Sequence, residues 1–240
     1  MRKHSVGRHM SWWVVPLLFH AVADPDPRLI DAIEWYTGVA GSVDDVKARA
    51  LLLEVVSDTG SPLSRMWVAR CHSRGRMGFE RDAVLARALA RDVIDEIREM
   101  ARLGEPEAVF LMGTAFDEGL GEREDPRAAA EFFRQAADVG HVLSQHNLGN
   151  LHAAGRGVVQ DPALAVRWWT LAAEQGDAIT QLRLGEAYEA GNGVERDIPT
   201  AARWYTQAAQ RGNVAAREAL ARVGNHGELR RRAHPRTPST

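Results

Sequence analysis

The stretch "LGNLHAAGRGVVQDPALAVRWWTLAAEQGD" (148–177) reappears 36 residues later as "LGEAYEAGNGVERDIPTAARWYTQAAQRGN" (184–213). Five series share that register: Gly113, Gly149 and Gly185; Gly119, Gly155 and Gly191; Gly121, Gly157 and Gly193; Asp125, Asp161 and Asp197; and Gly140, Gly176 and Gly212. A fixed period of this length is the mark of one supersecondary unit stacked on copies of itself.

Each unit reads as helix, turn, helix, turn. A first helix such as 142–154 stops at a glycine pair, "GRG" at 155–157, because glycine takes up the positive φ that ends a helix. The second helix opens at the aspartate, whose carboxylate accepts from free N–H groups of the first turn, with Pro126 or Pro162 at the next position. Along it the apolar residues fall on one face. They are Ala129, Phe132, Phe133, Ala136 and Ala137, then Ala165, Trp168, Trp169, Ala172 and Ala173, then Ala201, Trp204, Tyr205, Ala208 and Ala209. Alone, Trp168 and Trp169 would suit a stacking platform for a base, a sugar or a proline-rich peptide. In register with Phe132–Phe133 and Trp204–Tyr205 they are expected to be packing between repeats. Matching core slots in the first helices are Ala108, Met112 and Phe116, then Ser144, Leu148 and His152, then Thr180, Leu184 and Tyr188.

The expected fold class is all-α, a solenoid of helix-turn-helix repeats. Full repeats span 106–141, 142–177 and 178–212, and 62–105 is a divergent repeat. In the latter, Ser64, Val68, Ala69, His72 and Gly75 fit the first-helix slots. From Asp82 to Gly104 a single second helix is expected, lengthened by close to two turns, with Val93, Ile97, Met100 and Ala101 on its apolar face. Residues 24–61 form a degenerate repeat or cap, with 28–37 pairing 44–60. After Gly212, residues 213–224 place Ala216 and Leu220 in first-helix slots as a terminal cap. The tail 225–240 lacks apolar periodicity and is expected to be disordered.

These motifs closely resemble the Sel-1-like repeat family, relatives of the tetratricopeptide repeat, with a strong match over 106–212 and weaker ones upstream. The resemblance implies a right-handed α-α superhelix whose first helices line a concave surface. It also implies a role as adaptor or scaffold in protein complexes, often in bacterial envelopes or signalling. Penicillin binding or β-lactam hydrolysis, reported for some relatives, does not carry over: neither Lys3 nor Lys47 has a serine three residues before it, as S-x-x-K requires. Disulfide-rich relatives are a poor match as well, since Cys71 is alone.

The formal net charge of -2, with arginines scattered along the chain, gives no reason to expect nucleic acid as a partner. At the N-terminus, Arg2, Lys3 and Arg8 precede the apolar run "WWVVPLLF" and the small residues Ala21 and Ala23. That is the layout of a secretory signal over 1–23 cleaved before Asp24, and the run is too short to span a bilayer, which takes about 20 residues. Periplasmic or secreted location is therefore expected, with a cytoplasmic signalling scaffold, and a start at Met10, as the alternative.

Specificity in a solenoid belongs to non-repeated positions on the exposed face of the first helices. About half a turn from the core slots lie Phe110, Thr114 and Asp117, then His146, Asn150 and Ala153, then Leu182, Glu186 and Glu189. Stacked, they are expected to form a mixed apolar and acidic groove for a partner protein or peptide, on a monomeric, non-catalytic chain without metal or cofactor; an envelope enzyme acting on β-lactams or peptidoglycan is the alternative of another class. Cys71 beside His72 suggests a thiol nucleophile, but His72 falls in a packing slot. His141, His146 and His152 lack the spacing of a helical metal pair. "GLG", "GRG" and "GNG" lack the Lys-Ser/Thr of a phosphate loop. Arg230, Arg231 and Arg232 are a weak signal for nucleic acid or lipid.

Overall fold

The computed structural model describes residues 25–233, all of whose regular structure is helical. The expected leader at 1–23 and the end of the tail, 234–240, lie outside the described residues. The elements are α1 (Pro27–Thr37), α2 (Asp45–Thr59), α3 (Pro62–Arg74), α4 (Ala83–Arg91), α5 (Ile94–Arg102), α6 (Pro106–Glu118), α7 (Pro126–Asp138), α8 (Val142–Ala154), α9 (Pro162–Glu174), α10 (Ala178–Ala190), α11 (Ile198–Gln210) and α12 (Val214–Ala233). Helices adjacent in the chain pack on one another, α4 and α5 together against α3 and α6, giving an α-solenoid.

Sequence dictates the helix ends. Asp125 Oδ1 accepts from the N–H groups of Arg127 and Ala128, at 2.9 and 3.1 Å, and Asp161 Oδ1 from that of Leu164 at 2.9 Å. Gly119, Gly155 and Gly191 close the first helices in the left-handed region, each donating its N–H to the carbonyl four residues back. The glycines inside those helices serve the rings. A Cβ on Gly113, Gly149 or Gly185 would sit 2.6, 2.4 and 2.3 Å from the rings of Phe133, Trp169 and Tyr205. The second ring of each pair thus lies directly on the backbone of its partner helix.

Only that second ring is fully buried. Phe133, Trp169 and Tyr205 are core, whereas Phe132, Trp168 and Trp204 are half-buried at the edge of the hydrophobic clusters. Phe132 stacks on Phe116 with ring centroids 5.6 Å apart. Equal core roles for the pair are therefore corrected: residues adjacent on a helix are about 100° apart, so one faces the partner helix and its neighbour faces the seam.

Two further expectations are corrected. The long helix over 82–104 is broken into α4 and α5 at Asp92 and Val93, where Val93 takes φ -129°, ψ -5°. Val93, Ile94 and Ile97 are all buried, so the break turns the second segment to keep its apolar face inward. At the other end, α12 continues to Ala233 instead of giving way to irregular chain at 225.

The N-terminal unit, α1 and α2, closes on the far end of the solenoid. The Val43 N–H donates to the Arg211 carbonyl at 2.8 Å, and Arg211 Nη1 donates to the Gly38 carbonyl at 2.7 Å. A Cβ on Gly38, at φ +86°, would stand 3.2 Å from that of Ala178. Along the way α1 lays Tyr36 edge-on to Trp67, with centroids 6.3 Å apart. A crevice of about 300 Å³ remains between α1 and the starts of α6 and α8, lined by Ile30, Ile33, Val39, Glu107, His141 and Leu143.

Candidate functional site: the concave face

The first helices do line an inner face, and α1 covers one end of it. Arg70 (α3), Thr114 (α6), Asn150 (α8) and Glu186 (α10) occupy equivalent positions and run from buried to half-buried to exposed. Trp67, Leu111, Asn147 and Arg183 show the same gradient. The α1 unit reaches the start of α10 at Ala178 but leaves the helix open beyond it, where exposed Arg183 pairs with Glu186 at 3.1 Å.

Most residues expected to form a groove instead join consecutive repeats. Phe110 is fully buried: it lies 5.8 Å from Trp67 and 6.0 Å from Phe133, and stacks on His141 at 4.7 Å. Thr114 is buried too, its hydroxyl donating to the Phe110 carbonyl. Neither is open groove surface, because α6 is packed among α3, α5 and α7, with Phe110 filling the space between Trp67, Phe133 and His141. Asp117 accepts from Arg156 of the next repeat at 2.6 Å, and burial raises its carboxyl despite Arg156 and Arg74. Leu182 packs toward α12, and Glu189 accepts from Tyr205 Oη at 2.6 Å and from Arg222 at 2.8 Å. Ala153 is half-buried beside the α9 cluster. Of the nine residues expected to line the groove, Glu186 alone is exposed. The free stripe lies one residue further along, at Asn147 and Arg183 with Ile179, an offset that repeat-to-repeat packing decides and a single helix's periodicity does not show.

His146 and Asn150 belong to a one-way chain of hydrogen bonds. Trp169 Nε1 donates to Asn150 Oδ1 at 3.2 Å, and Asn150 Nδ2 approaches His146 Nε2 at 2.9 Å. His146 Nδ1 is 2.7 Å from Thr180 Oγ1, and that hydroxyl donates to Asp177 Oδ2. With the Asn150 amide donating to Nε2, a neutral ring carries its proton on Nδ1 and every link is satisfied. Burial, then the charges of Arg183, Arg70 and Arg76, hold His146 down to about 3. Burial also pushes Asp177 up to about 6 against its bonds to Thr180. Asp177 Oδ1 and Gln181 Oε1 have no partner among the described residues, nor have Nε and Nη1 of Arg70, whose guanidinium lies 4.5 Å over Trp67.

The pH consequence has two opposed parts. His146 is lower in the fold than its ordinary 6.5, so it opposes folding increasingly as pH falls from about 6.5 to about 3. Asp177 is higher than its ordinary 3.8, so its burial costs stability increasingly as pH rises from about 4 to about 6. In His146→Gln the first part is gone, and the melting-temperature difference, wild type minus variant, is expected to fall steadily between pH 6.5 and pH 3. A difference independent of pH would contradict this.

The setting of Cys71 disfavours a thiolate. The side chain is buried, and burial pushes its thiol up to about 11, so almost no thiolate exists near neutrality. His72 lies edge-on to Phe79, 5.0 Å away. Iodoacetamide is expected to label Cys71 only after unfolding in urea, as followed by intact mass; rapid labelling of the native protein would refute it. Among the described residues no three His, Cys, Asp or Glu side chains are placed to hold a metal ion. No described helix is long and apolar enough to cross a membrane.

The sequence model of the Sel1 repeat matches residues 62–91, 106–141, 142–177 and 178–213, more than half of the chain. The chain belongs to the Sel1 repeat family. Among solved structures, this Sel1 repeat protein is similar to a Sel1 repeat protein from Oxalobacter formigenes, with 32% identity and a TM-score of 0.53 over 75% of this chain and 50% of that one. It is also similar to c5321, a protective antigen present in uropathogenic Escherichia coli strains displaying an SLR fold, with 22% identity and a TM-score of 0.55 over 83% of this chain and 49% of that one. The chain thus spans about half the length of either relative. No curated protein matches it. The family match ends at Arg91 and resumes at Pro106, so the unmatched residues are those that carry α5 and the break before it.

Proposed function

We propose that this Sel1 solenoid is a non-catalytic scaffold that holds a partner protein or peptide on the open, C-terminal part of its concave face. The observation that carries the reading is the exposure gradient, from buried Trp67 and Arg70 beneath α1 to exposed Arg183 and Glu186. Core positions repeat and so carry no specificity. Asn147, Ile179, Arg183 and Glu186 do not repeat, and they give this surface its mixed polar and charged character. Partners co-purifying with tagged protein from its own cell are expected to be lost with Arg183→Glu plus Glu186→Arg. Both side chains are exposed, so the melting temperature should hold. An unchanged partner list would overturn the reading.

Residues 1–23 support export to the periplasm or cell exterior as part of this proposal. The mature protein is then expected to begin at Asp24. A start at Met1 or Met10 would favour a cytoplasmic scaffold.

A further inference from the structure

The repeat stacking fails at one place, and a pocket opens there. In the regular repeats the second glycine of the turn presses on the first residue of the preceding second helix. A Cβ on Gly157 would stand 2.1 Å from the Pro126 carbonyl oxygen, and one on Gly193 2.1 Å from that of Pro162. The equivalent contact for Gly121 would be Ala83, at the start of α4. Instead a Cβ on Gly121 would meet Ile94 at 3.0 Å and the Ala90 carbonyl oxygen at 3.3 Å, at the junction of α4 and α5. The inserted residues have moved the contact along by about two turns, leaving the first turn of α4 without its cover. A cavity of about 280 Å³ occupies the gap, with Ala83 on its wall.

Its other walls are mostly charged: Arg74, Arg81, Arg87 and Arg156 with Asp117, Glu118 and Glu124, the last 3.6 Å from Arg156. The carboxylates are already engaged. Arg74 lies 3.5 Å from Asp117 and 3.2 Å from Glu118, Arg156 2.6 Å from Asp117, and Arg76 2.5 Å from Glu118. Burial alone would raise the Glu118 carboxyl, but the charge and hydrogen bond of Arg76 outweigh it and hold the group lowered, hence ionised. Arg81 and Arg87 are exposed at the mouth, and among the described residues neither has a carboxylate in ion-pair contact. Arg87 stands where the other second helices carry Ala130, Val166 and Ala202. A guanidinium thus replaces a small apolar side chain at the position where stacking has been relieved.

We propose that this pocket is an oxyanion site, taking a phosphoryl or carboxyl group between Arg81 and Arg87 at its mouth. Two free guanidinium forks over ion-paired carboxylates supply charge-assisted donors. The volume suits one anionic group or a small solute, being at the lower limit of ordinary ligand pockets. The site lies at the turns that follow α3 and α6 and shares no lining residue with Asn147, Ile179, Arg183 or Glu186.

Calorimetric titration of the full chain at low ionic strength with inorganic phosphate, and separately with glutarate, tests it. Saturable binding of at least one probe is expected, and the tighter of the two identifies the phosphoryl or carboxyl source. Arg81→Gln with Arg87→Ala should weaken that binding by about tenfold or more. Both side chains are exposed and alanine is native to the second position in sister repeats, so the fold is expected to persist. Arg167→Gln with Arg203→Gln, which removes the same charge elsewhere, should leave affinity unchanged. Failure of both probes to saturate, or equal weakening in the two double variants, would overturn the proposal.

Discussion

Trp169→Ala is expected to lower unfolding free energy by about 3–5 kcal/mol, the loss typical of a large buried ring. The indole is 6% exposed and lies on Gly149, so truncation opens a cavity between α8 and α9 that their backbones are too regular to fill. It also removes the first donor of the chain through Asn150, His146 and Thr180 to Asp177, leaving Asn150 Oδ1 without its partner. Trp168→Ala, at a half-buried position, should cost about 1–2 kcal/mol. Urea melts of the two variants side by side are the check. A loss from Trp168 as large as that from Trp169 would mean that the faces of α9 have been assigned the wrong way round.

Gly157→Ala is expected to cost about 3 kcal/mol or more. Two penalties combine. At φ +73° a side chain is strained by about 1–2 kcal/mol, and the new methyl would stand 2.1 Å from the Pro126 carbonyl oxygen, an overlap with backbone that no rotamer relieves. The third repeat would have to lift from the second. Gly121→Ala supplies the internal comparison, since at φ +75° it carries the same strain but meets Ile94 at 3.0 Å. Its loss should be smaller by the backbone-overlap part. Thermal melts showing equal losses would mean that left-handed strain alone accounts for both glycines.

Much of this was legible in the chain. The 36-residue register, the Asp caps and the terminal glycines fix helix ends through local geometry, and they fall where the sequence places them. Ring pairs were legible as packing, but not which ring of each pair is buried, because that depends on how α8 and α9 cross. The groove was displaced for the same reason. A one-residue shift rotates a helical stripe by about 100°, enough to exchange His146 and Leu182 for Asn147 and Arg183. The break at Val93 was hidden because α4 and α5 each keep an apolar face, so the summed pattern reads as one helix. Closure of Gly38 and Val43 on Arg211 joins residues too far apart in the chain for any periodic signal to reveal.

Site-specific photocrosslinking in the protein's own cell tests the scaffold reading most directly. With the photoreactive residue at Glu186 on the open concave face, and in a parallel strain at exposed Arg167 on α9, a discrete partner adduct is expected from position 186 and none from 167. An adduct from 167 with none from 186 would place the working surface of this solenoid on its outer helices and contradict the proposed function.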